Sequence, residues 1–200
     1  MLRIYRTVAP ASLPVSLVEA WAHLRLDPSG SPLAHPEDVL INLQLAAATD
    51  YLDGWAGVLG RCMIEQTWCV EFARPGDFGQ FKIEMPVAGI VSVEVLRDGA
   101  YETVPPSNYA LRQRDTEAFV RPRSGLSWGR YDSDEAAFRV TFRAGYGDDP
   151  AAVPAPLRCA ILLMLGELFE NREAIVTGGT VQKIPAFDAL IAPYRIRPNG

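Results

Sequence analysis

The residues able to do chemistry are few, and their spacing is poor for it. Two histidines occur, His23 in a stretch of helical pattern and His35 in a loop flanked by prolines. A hydrolytic triad needs a histidine beside a nucleophilic Ser or Cys and an orienting acid. The chain has no G-x-S-x-G elbow and no His-x-x-x-His ligand pair. Asp132-Ser133-Asp134-Glu135 clusters oxygens of the kind hard cations take. A calcium loop would also need Gly at its sixth position and Glu at its twelfth, where Ala137 and Arg143 stand. Gly145-Tyr146-Gly147 and Gly178-Gly179-Thr180 lack the Lys-Ser/Thr of a phosphate loop and read as turn glycines. Arg121, Arg123 and Arg130 with Trp128 make one basic-aromatic cluster, broken by nearby acids. The residues therefore predict no catalytic group, no metal site and no cofactor.

Composition points the same way. The 200 residues are 48% hydrophobic and 22% charged, enough to bury a core without metal or disulfide staples. The net charge of −5 lacks the basic footprint of a nucleic-acid binder. Cys62, Cys69 and Cys159 are odd in number and lack C-x-x-C spacing, so they read as buried thiols of a reducing compartment. The start of the chain carries no long apolar run of the signal-peptide kind, and no run approaches the roughly 20 residues of a membrane span. The expectation is a soluble protein of a cytoplasm.

These groups are carried on elements in a helix, strand, helix order. Residues 1–15 read as extended. Ser16-Leu17-Val18-Glu19 has capping-box spacing, and Leu17, Ala20, Trp21 and Leu24 form a helical stripe. A second helix from Pro36-Glu37-Asp38 to about Ala56 has two apolar stripes. One is Leu40, Leu43, Ala47, Tyr51 and Trp55, and the other is Ile41, Leu45, Ala48 and Leu52. Two such faces predict packing on two sides, by the fold or by neighbouring subunits.

From Ile64 the period falls to two. Thr67–Phe72, Phe81–Met85, Ile90–Leu96 with the Asp98-Gly99 hairpin turn, Tyr101–Val104, Tyr109–Arg112, Phe119–Arg121 and Phe138–Phe142 read as strands. Ser124–Glu135, with Trp128 and Tyr131, reads as a long exposed loop. Leu157–Phe169 is apolar nearly all round and predicts a central helix. Ile175–Val181 reads as a mobile loop, Pro185–Ala192 as a short helix with Phe187, Leu190 and Ile191 inward, and Tyr194–Gly200 as a tail. The fold class expected is α+β: a helical core from both chain ends with an inserted antiparallel β subdomain. The expected boundaries are 1–63, 64–143 and 144–200.

Taken together, several pieces resemble the head–tail connector, or adaptor, proteins of tailed bacteriophages and phage-like gene transfer agents. They are Pro14–Ala20 with His23-Leu24-Arg25, Gly60-Arg61 before Gln66-Thr67-Trp68, and Phe142–Gly147 followed by Val153–Arg158 and Ala160–Leu163. Glu170–Glu173, Ile184-Pro185 and Leu190–Arg195 complete the set. Gly57–Met63 and Ser124–Glu135 depart from the family pattern.

The resemblance implies a virion structural protein with no enzymatic activity, one subunit of a ring usually of twelve copies. Such a ring joins the portal protein to a tail-side stopper or neck protein and leaves a channel for DNA, which passes without sequence-specific binding and without a membrane. It implies assembly in the bacterial host cytoplasm and a place in the particle neck. Tyr194, Arg195, Ile196 and Arg197 become the candidate portal-binding tail, whose bland alternative is a frayed terminus. Ile175, Val176, Trp128 and Tyr131 become candidate subunit-interface residues. Another neck or tail-completion protein is the alternative, with a small phage-encoded hydrolase using His23, His35, Asp132 and Asp134 behind it.

Overall fold

The computed structural model describes residues 3–114, 116–171 and 185–196. The chain divides into two compact units, Met1–Ala11 with Glu65–Tyr146, and Ser12–Ile64 with Gly147–Gly200. The described residues form eight strands and four α-helices, a mixed α+β composition.

The first unit is the β unit. Its strands are β1 (Arg3–Val8), β2 (Gln66–Phe72), β3 (Phe81–Ile83), β4 (Gly89–Arg97), β5 (Ala100–Thr103), β6 (Tyr109–Gln113), β7 (Ala118–Pro122) and β8 (Phe138–Ala144). They make a five-stranded sheet in the order β1-β2-β8-β4-β5 and a three-stranded sheet in the order β3-β7-β6. Every pairing between these strands is antiparallel. Alternation decides the faces: Val70, Phe72, Val93, Val95, Phe138, Val140 and Phe142 are buried, and their neighbours in sequence point the other way. Phe81 of the small sheet meets Phe72 and Phe138 of the large one, with ring centroids 4.8 and 4.9 Å away. The β4–β5 turn needs left-handed backbone at both central positions, and Asp98 (φ 47°) and Gly99 (φ 79°) supply it.

The N-terminus corrects the expected division. Residues 1–11 belong with the sheet and not with the helices, because β1 pairs along β2 with Arg3 opposite Glu71 and Arg6 opposite Trp68. The backbone groups of an extended segment need partners, and β2 offers a free edge for them.

The second unit is helical: α1 (Leu17–Leu24), α2 (Asp38–Leu52), α3 (Ala155–Glu170) and α4 (Pro185–Ile191). Its core holds Ala20, Trp21, Ile41, Leu45, Ala48, Leu52, Leu157, Ala160, Ile161, Leu165 and Ile191. Each large aliphatic side chain buried this way contributes about 1.5–3 kcal/mol. The predicted capping box forms: Ser16 Oγ accepts from the Glu19 N–H at 3.3 Å, and Glu19 Oε2 accepts from the Ser16 N–H at 2.8 Å. Glu19 also pairs with Arg158 of α3. At the start of α2, Asp38 accepts from Trp21 Nε1 at 2.7 Å and from the His35 N–H at 2.9 Å.

Three expectations fail in this unit. First, α2 stops at Leu52 rather than near Ala56, because the chain folds back on the helix end. Val58 and Leu59 donate to the Tyr51 and Leu52 carbonyls, and Asp53 Oδ1 accepts from the Met63 N–H at 2.6 Å. Second, α3 is not covered all round. Leu157, Ala160, Ile161 and Leu165 are buried, Leu162, Leu163 and Met164 are half-buried, and Leu168 is exposed. Third, Cys159 is exposed on the outer side of α3, while Cys62 and Cys69 are buried as expected.

Candidate functional site

The outward face of the five-stranded sheet carries an ordered polar row. Reading across the strands, Arg3 stands opposite Glu71, Glu71 opposite Arg139, Arg139 opposite Glu94, and Glu94 opposite Thr103. Opposite charges on directly facing positions stabilise a sheet. Glu71 is buried and accepts from Arg139 Nε at 3.0 Å and from the Tyr5 hydroxyl at 3.3 Å. The Arg139 guanidinium lies 3.9 Å from the Tyr101 ring centroid, a cation–π contact.

The electrostatics follow from this packing. The Tyr5 hydroxyl is pushed well above its ordinary value, first by its hydrogen bond to Cys69 and then by burial. Burial raises Tyr101. Burial, the largest single effect, opposes the charge on Arg139, but the Glu71 hydrogen bond and the charge interactions with Tyr101, Glu71 and Tyr5 together outweigh it, so the guanidinium is held protonated more firmly still. These groups are locked in their states near neutral pH. The row is a charge-paired surface.

The residues weighed for hydrolysis have structural partners instead. His35 Nδ1 accepts from the Glu37 N–H at 3.3 Å in the turn before α2. His23 lies over Gly166 of α3, where a methyl group would stand 3.2 Å from His23 Nε2. Asp132 Oδ2 accepts from the Gly99 N–H and Asp134 Oδ1 from the Ala136 N–H, each at 2.9 Å, so both carboxylates fix turns. Among the described residues no three His, Cys, Asp or Glu side chains gather as metal ligands. Among them, too, no helix is long and apolar enough to cross a membrane.

The interface candidates fare unevenly. Trp128 was expected on an exposed loop, yet it is 6% exposed. Its ring packs 5.0 Å from Phe81, and its Nε1–H donates to the Gly79 carbonyl at 2.6 Å. An indole in this position gains both apolar burial and a hydrogen bond, so the loop is drawn inward around it. The basic-aromatic cluster loses its aromatic member for the same reason, and Arg130 pairs with Asp98 at 3.1 Å. Tyr131 stays at the rim, edge-on to Phe138 at 4.6 Å.

In the tail, Tyr194 is half-buried against the helical core, the Ile196 N–H donates to the Leu59 carbonyl at 2.8 Å, and Arg195 is exposed. Ile175, Val176 and Arg197 lie outside the described residues.

Two exposed apolar features stand out, and the sequence reading missed the first of them. Phe78, at the turn between β2 and β3, is 95% exposed. It also holds left-handed backbone (φ 59°, ψ 21°), which a bulky side chain rarely adopts. The second is the outer face of α2. Of the two stripes, Ile41, Leu45, Ala48 and Leu52 are buried, while Leu43, Ala47 and Tyr51 face outward. The signal for α2 was in the pattern, since two apolar stripes cannot both face one core. Nothing in the local sequence marked Phe78.

No protein-family model and no curated protein matches the sequence. Solved structures do match. A chain in the neck of an empty gene transfer agent (GTA) particle, computed with C6 symmetry, aligns at a TM-score of 0.74 and 18% identity over 98% of this chain and 96% of its own length. A chain in the virion of a native GTA particle gives 0.74 and 18% over 97% and 95%. A chain in the neck of a native GTA particle, computed with C12 symmetry, gives 0.70 and 18% over 98% and 96%. The chain thus shares, along nearly its whole length, the fold of chains from gene transfer agent particles.

Proposed function

We propose that this protein is a virion structural protein of the particle neck. In this reading it is a ring subunit that adapts the portal to the tail-side stopper and leaves a passage for DNA. The observation that carries the proposal is the end-to-end match, at a TM-score of 0.74, to a chain from a GTA particle neck. Both units are included, so the likeness is not that of one common module.

The chemistry of the surface supports the same reading. Polar groups on the sheet are paired with one another, as in a scaffold, and the side chains suited to hydrolysis serve turns and caps. An acidic chain with net charge −5 suits a passage that must not hold phosphates. Rings are built from heterologous contacts, which two differing apolar surfaces on one subunit can supply. Self-association into about twelve copies would accord with the C12 symmetry of one matched neck. Arg195 is the tail residue offered to a portal, with Tyr194 and Ile196 holding it against the helical unit.

Electron microscopy of the full chain mixed with its portal tests this. The expected result is ring density on the tail-proximal face of the portal. A portal that stays bare at saturating concentrations contradicts it.

A further inference from the structure

We propose that Phe78 of one copy seats in the outward face of α2 of the next copy, in the hollow bounded by Leu43, Ala46, Ala47 and Asp50. The proposal rests on the neck-ring reading for its partner, a second copy of this chain, and adds the contact that joins neighbours.

Phe78 carries two costs at once. Its ring is exposed to water and its backbone is held left-handed. The turn is nonetheless tightly made. Gly76 donates to Gln80 at 2.9 Å, Gly79 donates to Gly76 at 3.1 Å, and the buried Trp128 grips the Gly79 carbonyl. A strained turn clamped from beneath presents one aromatic side chain as a fixed knob. Aromatic anchors of this kind dominate protein interfaces.

The acceptor has the matching shape. Residues at i, i+3, i+4 and i+7 of a helix bound the hole into which a knob from a neighbour fits. On α2 those positions are Leu43, Ala46, Ala47 and Asp50, with two alanines as a low floor and Leu43 as a 68% exposed apolar wall.

Charge selects the orientation. Asp38–Leu52 contains two aspartates and no Lys or Arg, and Asp50 stands exposed at the corner of the hollow. Arg74, exposed and four residues before Phe78, would meet it. Neither the Arg74 nor the Asp50 side chain has a hydrogen bond or ion pair among the described residues. Asp77 lies next to the ring, so the Arg74–Asp50 pair acts at the rim and burial of Phe78 drives the contact. Knob and hollow differ and each copy has one of each. The contact is therefore head-to-tail, propagating around a ring instead of closing a pair.

The test is a short bismaleimide cross-link in the full chain carrying Asp77→Cys and Ala47→Cys, which leaves Phe78 in place, with exposed Cys159 replaced by Ser. The expected product is a ladder extending beyond the dimer, absent from either single variant. In parallel, Phe78→Ser should raise the concentration for half-assembly at least about tenfold, the scale of a hot-spot loss, with unchanged circular dichroism. A ladder that stops at dimers overturns the head-to-tail arrangement. Rings that form on the portal without the cross-link overturn the contact and leave the neck reading standing. A chain that neither cross-links nor multimerises on the portal overturns both.

Discussion

Gly57 shows how one atom sets the end of a helix. A Cβ there would stand 2.3 Å from the Asp53 carbonyl oxygen and 2.5 Å from that of Leu52, and both are backbone atoms that cannot step aside. Gly57→Ala should therefore cost about 1–3 kcal/mol, read as a lower denaturation midpoint; an unchanged midpoint would mean that the exit loop is looser than its hydrogen bonds indicate. Phe78 predicts the opposite sign. Its ring packs on nothing within its own unit, while its backbone is strained. Phe78→Gly should raise stability by about 0.5–1 kcal/mol even as it abolishes self-contact. Stability and assembly moving in opposite directions would mark the residue as one kept for binding.

Glu19 makes a prediction about pH. Its carboxyl is held below the ordinary value of 4.5, first by the Ser16 N–H and further by Arg158. The unfolded chain then binds the proton more readily than the folded one, so the contribution is complete above about pH 4.5 and is lost as pH falls through the lowered folded value. Glu19→Gln should flatten this acid limb of the stability curve. An identical limb in the variant would assign the acid sensitivity to other carboxylates.

At the scale of elements, local pattern carried far. The capping box at Ser16–Glu19, the Asp98-Gly99 hairpin and the α3 stripe from Leu157 to Leu165 were all legible, because each is set by residues within about one turn of one another. What could not be read was the partner of each element. Arg3–Val8 looks extended in isolation, but its union with β2 is made by residues some sixty positions away. Trp128 sits in a stretch without periodicity, so only the three-dimensional placing of Phe81, Tyr109 and Phe138 reveals it as core. Trp128→Ala should consequently destabilise the β unit by about 3–5 kcal/mol, the usual range for a large aromatic removed from a core. A loss under about 1 kcal/mol would return the loop to the exposed state that the sequence suggested. In the helical unit, Ile161→Asp should prevent folding, since Ile161 has no exposed surface to carry a charge outward.

The whole molecule combines a scaffold of paired charges with two apolar features turned outward, and it has the fold of chains found in gene transfer agent particles. Its site was only partly legible from the sequence. The tail at Tyr194–Ile196 drew notice for composition and the second face of α2 for its periodicity, whereas Phe78 emerged only when exposure was known. Arg195→Glu should leave the thermal transition in place and weaken portal binding, measurable by co-sedimentation, because Arg195 is exposed while its neighbours anchor the segment. The most direct measurement is a map of the assembled particle at side-chain detail. A ring of this chain between portal and tail is the predicted result. Its absence from the neck, or its presence there as an isolated copy without ring neighbours, would contradict the reading.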